Sequence, residues 1–379
     1  MTIVTNILLL ILVISILTFV HELGHFLAAK LVKAKVLDFS IGFGPKILSK
    51  KIDETTYNIR ILPLGGFVKI LGDGDPTSKI EDIKDDGNLK NKSKLAQMFV
   101  MLAGVTMNIL LAVILYTVFL ANNGWRMDIG SSYDDFKPVG ATLTQERVSD
   151  LPYELADEGA ALDSGMYKEG YLISIDGETI DKYDDLVRIL KSNKSEEVNI
   201  YACDKNKECD YFDITVSGEG KIGVYTGYNY AVYMDYSDNK IFSGVSHSIN
   251  IVKLTGVSLS SLLEQGKETG DYSQLSNSVS GPVGIYFIID YFRTLGFFIF
   301  LGILADLSIS LALINLLPIP ALDGGRFFIL FIEGILRKDL DEKVEATIIN
   351  ISFMFLILLI VGVMIKDIVN IEQLKSLFK

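Results

Sequence analysis

Residues 3–25 read IVTNILLLILVISILTFVHELGH. From Ile3 to Val20 no side chain carries a charge, and a helix of that length comes close to the roughly 20 residues needed to cross a hydrocarbon core of about 30 Å. The run passes without a break into His21-Glu22-Leu23-Gly24-His25. On a helix, residues four apart share a face, so both imidazoles of this H-E-x-x-H pattern can reach one metal ion while Glu22 stands beside it to activate water. The plainer reading is a polar cap on the helix end. Ionisable groups at membrane depth are costly and usually functional, which favours the chemical reading. A secretory leader is the rival for the N-terminus. Met1–Asn6 carries no Lys or Arg and no small-residue cleavage site follows, so an uncleaved span is expected.

The whole chain has the balance of a membrane protein. Of 379 residues, 49% are hydrophobic and 22% charged, with mean hydropathy +0.36. Three further apolar runs follow: Met98–Ala121, Thr294–Leu317 interrupted by Asp306, and Ala346–Ile365. The expected fold class is therefore a polytopic α-helical membrane protein with four transmembrane helices. Its expected segments are 1–29, a loop 30–97, 98–121, a polar region 122–243, a juxtamembrane helix and linker 244–293, 294–317, a loop 318–345, 346–366 and a tail 367–379. The net charge of −12 sits in one of these. Asn122–Lys240 holds 24 acidic and 12 basic residues, whereas the remainder holds 23 of each. So acidic a segment argues against nucleic acid, which is bound through basic patches.

Cytoplasmic loops are enriched in Lys and Arg. Lys30–Lys94 has thirteen basic residues and should be cytoplasmic. Region 122–243 then lies outside, the loop with Arg326, Arg337 and Lys338 inside, and both termini outside. Lys375 and Lys379 run against this orientation. Within the cytoplasmic loop, alternating Tyr57, Ile59 and Ile61 suggest a strand, and Gly65-Gly66 a turn into a second one, giving a hairpin against the membrane. Asp73–Lys94 reads as a solvated loop.

In the polar region, residues 140–224 read as one compact module. Leu172–Ile175 makes a buried strand, Asp176-Gly177 a tight turn, Asp184–Leu190 an amphipathic helix, and Val198–Ala202 with Tyr211–Val216 the last strands. Cys203 and Cys209 read as a surface pair on the connecting hairpin, since two ligands are too few for zinc. A further helix is expected over about Ser246–Leu263.

Catalytic zinc takes three protein ligands and leaves one position for water. The third histidine, His247, falls on the far side of the membrane from the motif. Asp323 is better placed: it follows NLLPIPAL at 315–322, whose prolines break the helix and turn irregular backbone toward a cavity. Asp306 has no evident partner. Gly104-x-x-x-Asn108 suits close helix packing with a satisfied amide.

HELGH at 21–25, IGFGPKI at 41–47, PLGGFVKILG at 63–72, Gly104-x-x-x-Asn108, SGPVGI at 280–285 and NLLPIPALDGGR at 315–326 together span nearly the whole chain. In this ordered set the sequence resembles the site-2 protease family of intramembrane zinc metalloproteases, in its bacterial regulator-of-sigma-E-protease branch. The resemblance implies one zinc ion held by His21, His25 and Asp323, Glu22 as catalytic base, and Asn315 holding substrate. It implies that the hairpin carrying Gly65, Gly66 and Phe67 lies at the membrane and pairs with an unwound substrate. The external module looks like a PDZ domain, an α+β fold, although Tyr171 departs from the residue usual in PDZ relatives; outside the module, Arg326 stands where the protease family often has His after the double glycine. Substrates would be single-pass membrane proteins, such as anti-sigma factors, or remnant signal peptides already trimmed by an upstream site-1 type protease, in the bacterial cytoplasmic membrane. Two other classes compete: a non-catalytic PDZ scaffold that captures tails, and a transporter, suggested by Asp306 but lacking an inverted repeat.

Overall fold

The computed structural model describes residues 2–73 and 85–372. Much of the expected Asp73–Lys94 loop, and both Lys375 and Lys379, lie outside the described residues. The chain divides into two compact units. One comprises Met1–Asn122 with Ile241–Lys379, the other Asn123–Lys240.

The first unit opens with α1 (Thr2–Leu31), β1 (Val36–Ile52), β2 (Thr55–Ile70) and α2 (Lys94–Asn122). The two strands reverse at Asp53-Glu54, where Asp53 supplies the left-handed φ of 51°. Residues 46–52 pair with 55–60, and residues 38–41 pair on both sides, with 56–59 and with 66–69. Two long bent strands thus fold into a four-run sheet. The turn expected at Gly65-Gly66 is not formed: Gly66 pairs with Ile41 inside β2, because the chain must stay extended there to reach the partners of Phe67 to Ile70.

The second unit holds β3 (Arg126–Asp128), β4 (Thr142–Arg147), β5 (Leu151–Leu155), α3 (Ala160–Asp163), β6 (Glu169–Ile175), β7 (Glu178–Thr179), α4 (Tyr183–Ser192), β8 (Glu197–Asp204), β9 (Cys209–Thr215), β10 (Val224–Thr226) and β11 (Tyr230–Asp235). One sheet runs β10-β5-β6-β8-β9 with β7 on β6, and a second runs β3-β11-β4. Positive φ at Asp176 and Gly177 makes the expected tight turn. Leu186, Ile189 and Leu190 of α4 close a core with Leu151, Leu172, Ile175, Ile200 and Ile214. Cys203 and Cys209 are bonded across the β8–β9 hairpin.

The first unit resumes with α5 (Ser243–Thr269), α6 (Ser273–Asn277), α7 (Pro282–Phe292), α8 (Phe297–Leu316), α9 (Asp323–Leu336) and α10 (Glu342–Val369). Among the described residues, α1, α2, α8 and α10 are long and apolar enough to cross a membrane. The short apolar α7 was not expected. It is tied to α1 by Asn6, whose amide donates to Asp290 at 2.6 Å, and it packs Ile289 against Val13, Leu17 and Leu304.

A second anchor of α7 is a carboxylate. Asp367 of α10 is fully buried, and its Oδ2 accepts from the backbone N–H of both Gly281 and Gly284 at 2.9 Å. These are among the N–H groups that a helix start leaves without intrahelical partners. The SGPVGI segment is thereby capped from another span. Asp367→Ala strands both donors, so it should destabilise the protein by about 1–3 kcal/mol, read as a lower thermal midpoint in detergent. An unchanged midpoint would mean the donors find another acceptor.

Candidate metal centre

At 1.5 Å per residue, His21 lies roughly 28 Å along α1, close to the depth of a bilayer core. His21 and His25 both project from one face of this helix and are buried. Their Nε2 atoms are 3.2 Å apart. Asp323 arrives from the other end of the chain. α8 stops at Leu317, whose extended conformation is the one favoured before a proline. After Pro318 and Pro320 the chain folds back so tightly that a Cβ on Gly324 or Gly325 would meet the carbonyl oxygens of Leu316 or Ile319 at 2.2 and 2.1 Å. The double glycine is what lets α9 begin at that point. Asp323, first residue of α9, places Oδ2 at 2.9 Å from His21 Nε2 and 3.1 Å from His25 Nε2. Arg326, one turn later, holds α9 to the end of β2 through Asp73 Oδ1 at 2.8 Å.

The three atoms suit a divalent ion. Ligands at about 2.0–2.2 Å in a tetrahedral arrangement stand roughly 3.3–3.5 Å apart, within a few tenths of an ångström of the observed separations. The hydrogen bonds behind the rings fit as well. His25 Nδ1 lies 2.8 Å from the Val100 carbonyl, so it carries the proton and leaves the Nε2 lone pair facing inward. His21 Nδ1 lies 3.3 Å from the Asn108 amide, whose Oδ1 is buried without a partner. A half-turn of the amide lets Oδ1 accept Nδ1–H, satisfying the oxygen and freeing His21 Nε2. Two inward lone pairs and a carboxylate oxygen within 3.2 Å repel one another unless a cation lies between them. This is the His/Asp cluster of metal-binding type found among the described residues.

The floor of the site is α2. A Cβ on Gly104 would meet His25 Nε2 at 2.4 Å and His21 Nε2 at 2.7 Å. Glu22, next to His21, accepts at Oε2 from the Val68 N–H of β2 at 2.9 Å. Ser15 donates to the Pro63 carbonyl on the same strand, and Gly65 comes against Thr18 between those two contacts. The segment 63–68 thus runs beside α1 over the turns that carry His21 and Glu22. Phe67 turns its ring away to Phe43, 6.2 Å between centroids, and beneath Arg60. Asn315 is half-buried in the last turn of α8. His247, the histidine passed over, packs edge-on against Tyr116 of α2. Sequence reasoning missed Asn108 as the partner of His21, although its spacing one turn after Gly104 puts both on one face.

The sequence profile described as peptidase family M50 matches residues 9–359. The chain is similar to the regulator of sigma-W protease RasP of Bacillus subtilis, 28% identical over 96% of this chain and 98% of that protein. It is similar to the zinc metalloprotease RasP of Bacillus licheniformis, 29% identical over 94% and 97%. It is also similar to the membrane metalloprotease ARASP of Arabidopsis thaliana chloroplasts, 30% identical over 96% of this chain and 79% of that one.

Gly104→Val forces carbon atoms into the space between the imidazoles. Zinc content of the purified protein should fall from near one per chain to near zero, while a valine at the exposed Gly256, a helical position with open space, should leave it unchanged.

Proposed function

The chain belongs to peptidase family M50, and on that premise we propose how its own residues carry out zinc-dependent hydrolysis of membrane-embedded peptide bonds. The protein is an intramembrane zinc metalloprotease and a multi-pass membrane protein. The observation that carries the assignment of residues is the triangle of His21 Nε2, His25 Nε2 and Asp323 Oδ2. These three residues would hold the zinc, which would supply Lewis-acid polarisation of the scissile carbonyl and acidification of water. Glu22, next to His21, is placed to take a proton from the attacking water and pass it to the leaving amine.

A helical substrate hides its carbonyls in its own hydrogen bonds and must unwind before cleavage. Strand 62–70 is paired to β1 on one side only, and its other edge can take up the freed backbone. The backbone of Gly65, Gly66 and Phe67 forms that edge, and the Asn315 amide holds the substrate from the α8 side. Exposed Phe43, Ile47, Leu48, Ile59, Ile61 and Leu62 support a hairpin immersed in the membrane face.

The basic segment Lys30–Lys94 supports an orientation in the bacterial cytoplasmic membrane with the catalytic centre toward the cytoplasm, and both termini and the Asn123–Lys240 unit outside. That unit, with its capped sheet and α4, serves as a PDZ-like filter against bulky external domains. The name of the Bacillus subtilis relative, regulator of sigma-W protease, supports single-pass anti-sigma factors as substrates; remnant signal peptides fit the same requirement for a short external part. Trimming by a site-1 type protease precedes this step.

Glu22→Gln should abolish cleavage of a single-span reporter in proteoliposomes while zinc stays bound; surviving cleavage would remove Glu22 from the role of base. Deleting 140–224 should extend cleavage to reporters with large external domains, and unchanged selectivity would count against the filter.

A further inference from the structure

A carboxylate in the middle of a membrane helix is expensive and calls for a partner. Asp306 of α8 has one: the Tyr116 hydroxyl of α2 donates to its Oδ1 at 2.6 Å. Two residues further along α8, the buried Ser308 hydroxyl donates to the backbone carbonyl of Asn108, also on α2, at 2.8 Å. The two bonds bracket Ala112, which packs with Ala305 and Ile309. Apolar surfaces give little force for one helix register over another within lipid, so polar pairs of this kind set it.

We infer that the Tyr116–Asp306 pair is a positioning device, which with Ser308 fixes α8 on α2 so that Asp323 reaches the two histidines. The inference rests on the metal reading above. The same α2 holds both imidazoles, His25 through the Val100 carbonyl and His21 through Asn108. Asn108 therefore touches the first ligand with its side chain and receives α8 with its carbonyl. From α8 the chain reaches Asp323 through a short break, where Gly324 and Gly325 lie directly on the carbonyls of Leu316 and Ile319. Any slide of α8 is passed on to the carboxylate. A slip of one residue is about 1.5 Å and 100°, whereas metal–ligand distances tolerate roughly 0.2 Å.

Tyr116→Phe removes only the hydroxyl and keeps the ring against His247, 4.6 Å between centroids. In nanodiscs it should weaken zinc binding about tenfold and lower kcat on a single-span reporter by a similar factor, with KM unchanged. Excess zinc should restore part of the loss. Asp306→Leu should match it, and the double variant should be no worse than either single one. Asp306→Asn keeps an acceptor oxygen for the tyrosine and should recover most of the zinc affinity. Unchanged zinc affinity in Tyr116→Phe, or Asp306→Asn failing as fully as Asp306→Leu, would overturn the inference. So would a fall in thermal midpoint with zinc affinity intact. A wild-type protein that binds no zinc would instead remove the metal reading, which separates the two failures.

Discussion

Everything in the membrane-spanning unit answers to one electrostatic constraint: two imidazole nitrogens and a carboxylate oxygen, drawn from positions almost 300 residues apart in sequence, converge to 2.9–3.2 Å in a medium of low dielectric. Such a cluster repels itself without a cation. Its ligands therefore have to be held from behind by groups that fix which nitrogen faces inward. The Val100 carbonyl and the Asn108 amide do this from α2, and Gly104 between them leaves the room. The need for three correct ligand positions explains why α1, α2 and α9 meet where they do, and why the double glycine after Asp323 tolerates no side chain.

The second constraint is that backbone polar groups in lipid must be satisfied. Two of the interruptions between its helices, the α8–α9 break and the start of α7, show how this is done. In the first, the carbonyls of Leu317 and Ile319 accept from Ile319 and Leu322 N–H. In the second, Asp367 caps Gly281 and Gly284. The hairpin obeys the same rule, since Val68 N–H finds Glu22 and Pro63 O finds Ser15. These last two contacts hold strand 63–68 directly against α1 beside Glu22.

Much of this was legible in the sequence because the signals are local. HELGH puts two histidines on one face through spacing alone, three uncharged runs and a fourth broken only by Asp306 mark the spans, and Asp176-Gly177 and the α4 periodicity declare the elements around them. Asp323 could be chosen because proline breaks a helix whatever its surroundings. What could not be read are pairings between distant segments. Gly65-Gly66 has the composition of a turn, and only the cross-strand partner at Ile41 keeps it extended. α7 is too short to declare itself by length, and Asp367 is one carboxylate near the end of an apolar run. Asp306 looked partnerless because a tyrosine 190 residues away in sequence carries no mark of its role.

The residues on one face of α2 show how so much chemistry fits on an apolar helix. Val100, Gly104, Asn108, Ala112 and Tyr116 recur every four residues, and all are buried. A spacing of four on a helix of 3.6 residues per turn drifts slowly around the axis, so this stripe faces α1 at its beginning and α8 and α5 at its end. The drift separates tasks that one straight face would crowd together: a carbonyl and an amide for the histidines, a gap for the metal, a small contact for α8, and a phenol for Asp306. The Val100 carbonyl, the Asn108 amide nitrogen and carbonyl, and the Tyr116 hydroxyl each meet a partner on another helix, so none of these is left facing lipid. The stripe can therefore carry functional groups without the penalty that excludes them from the outer face of the same helix.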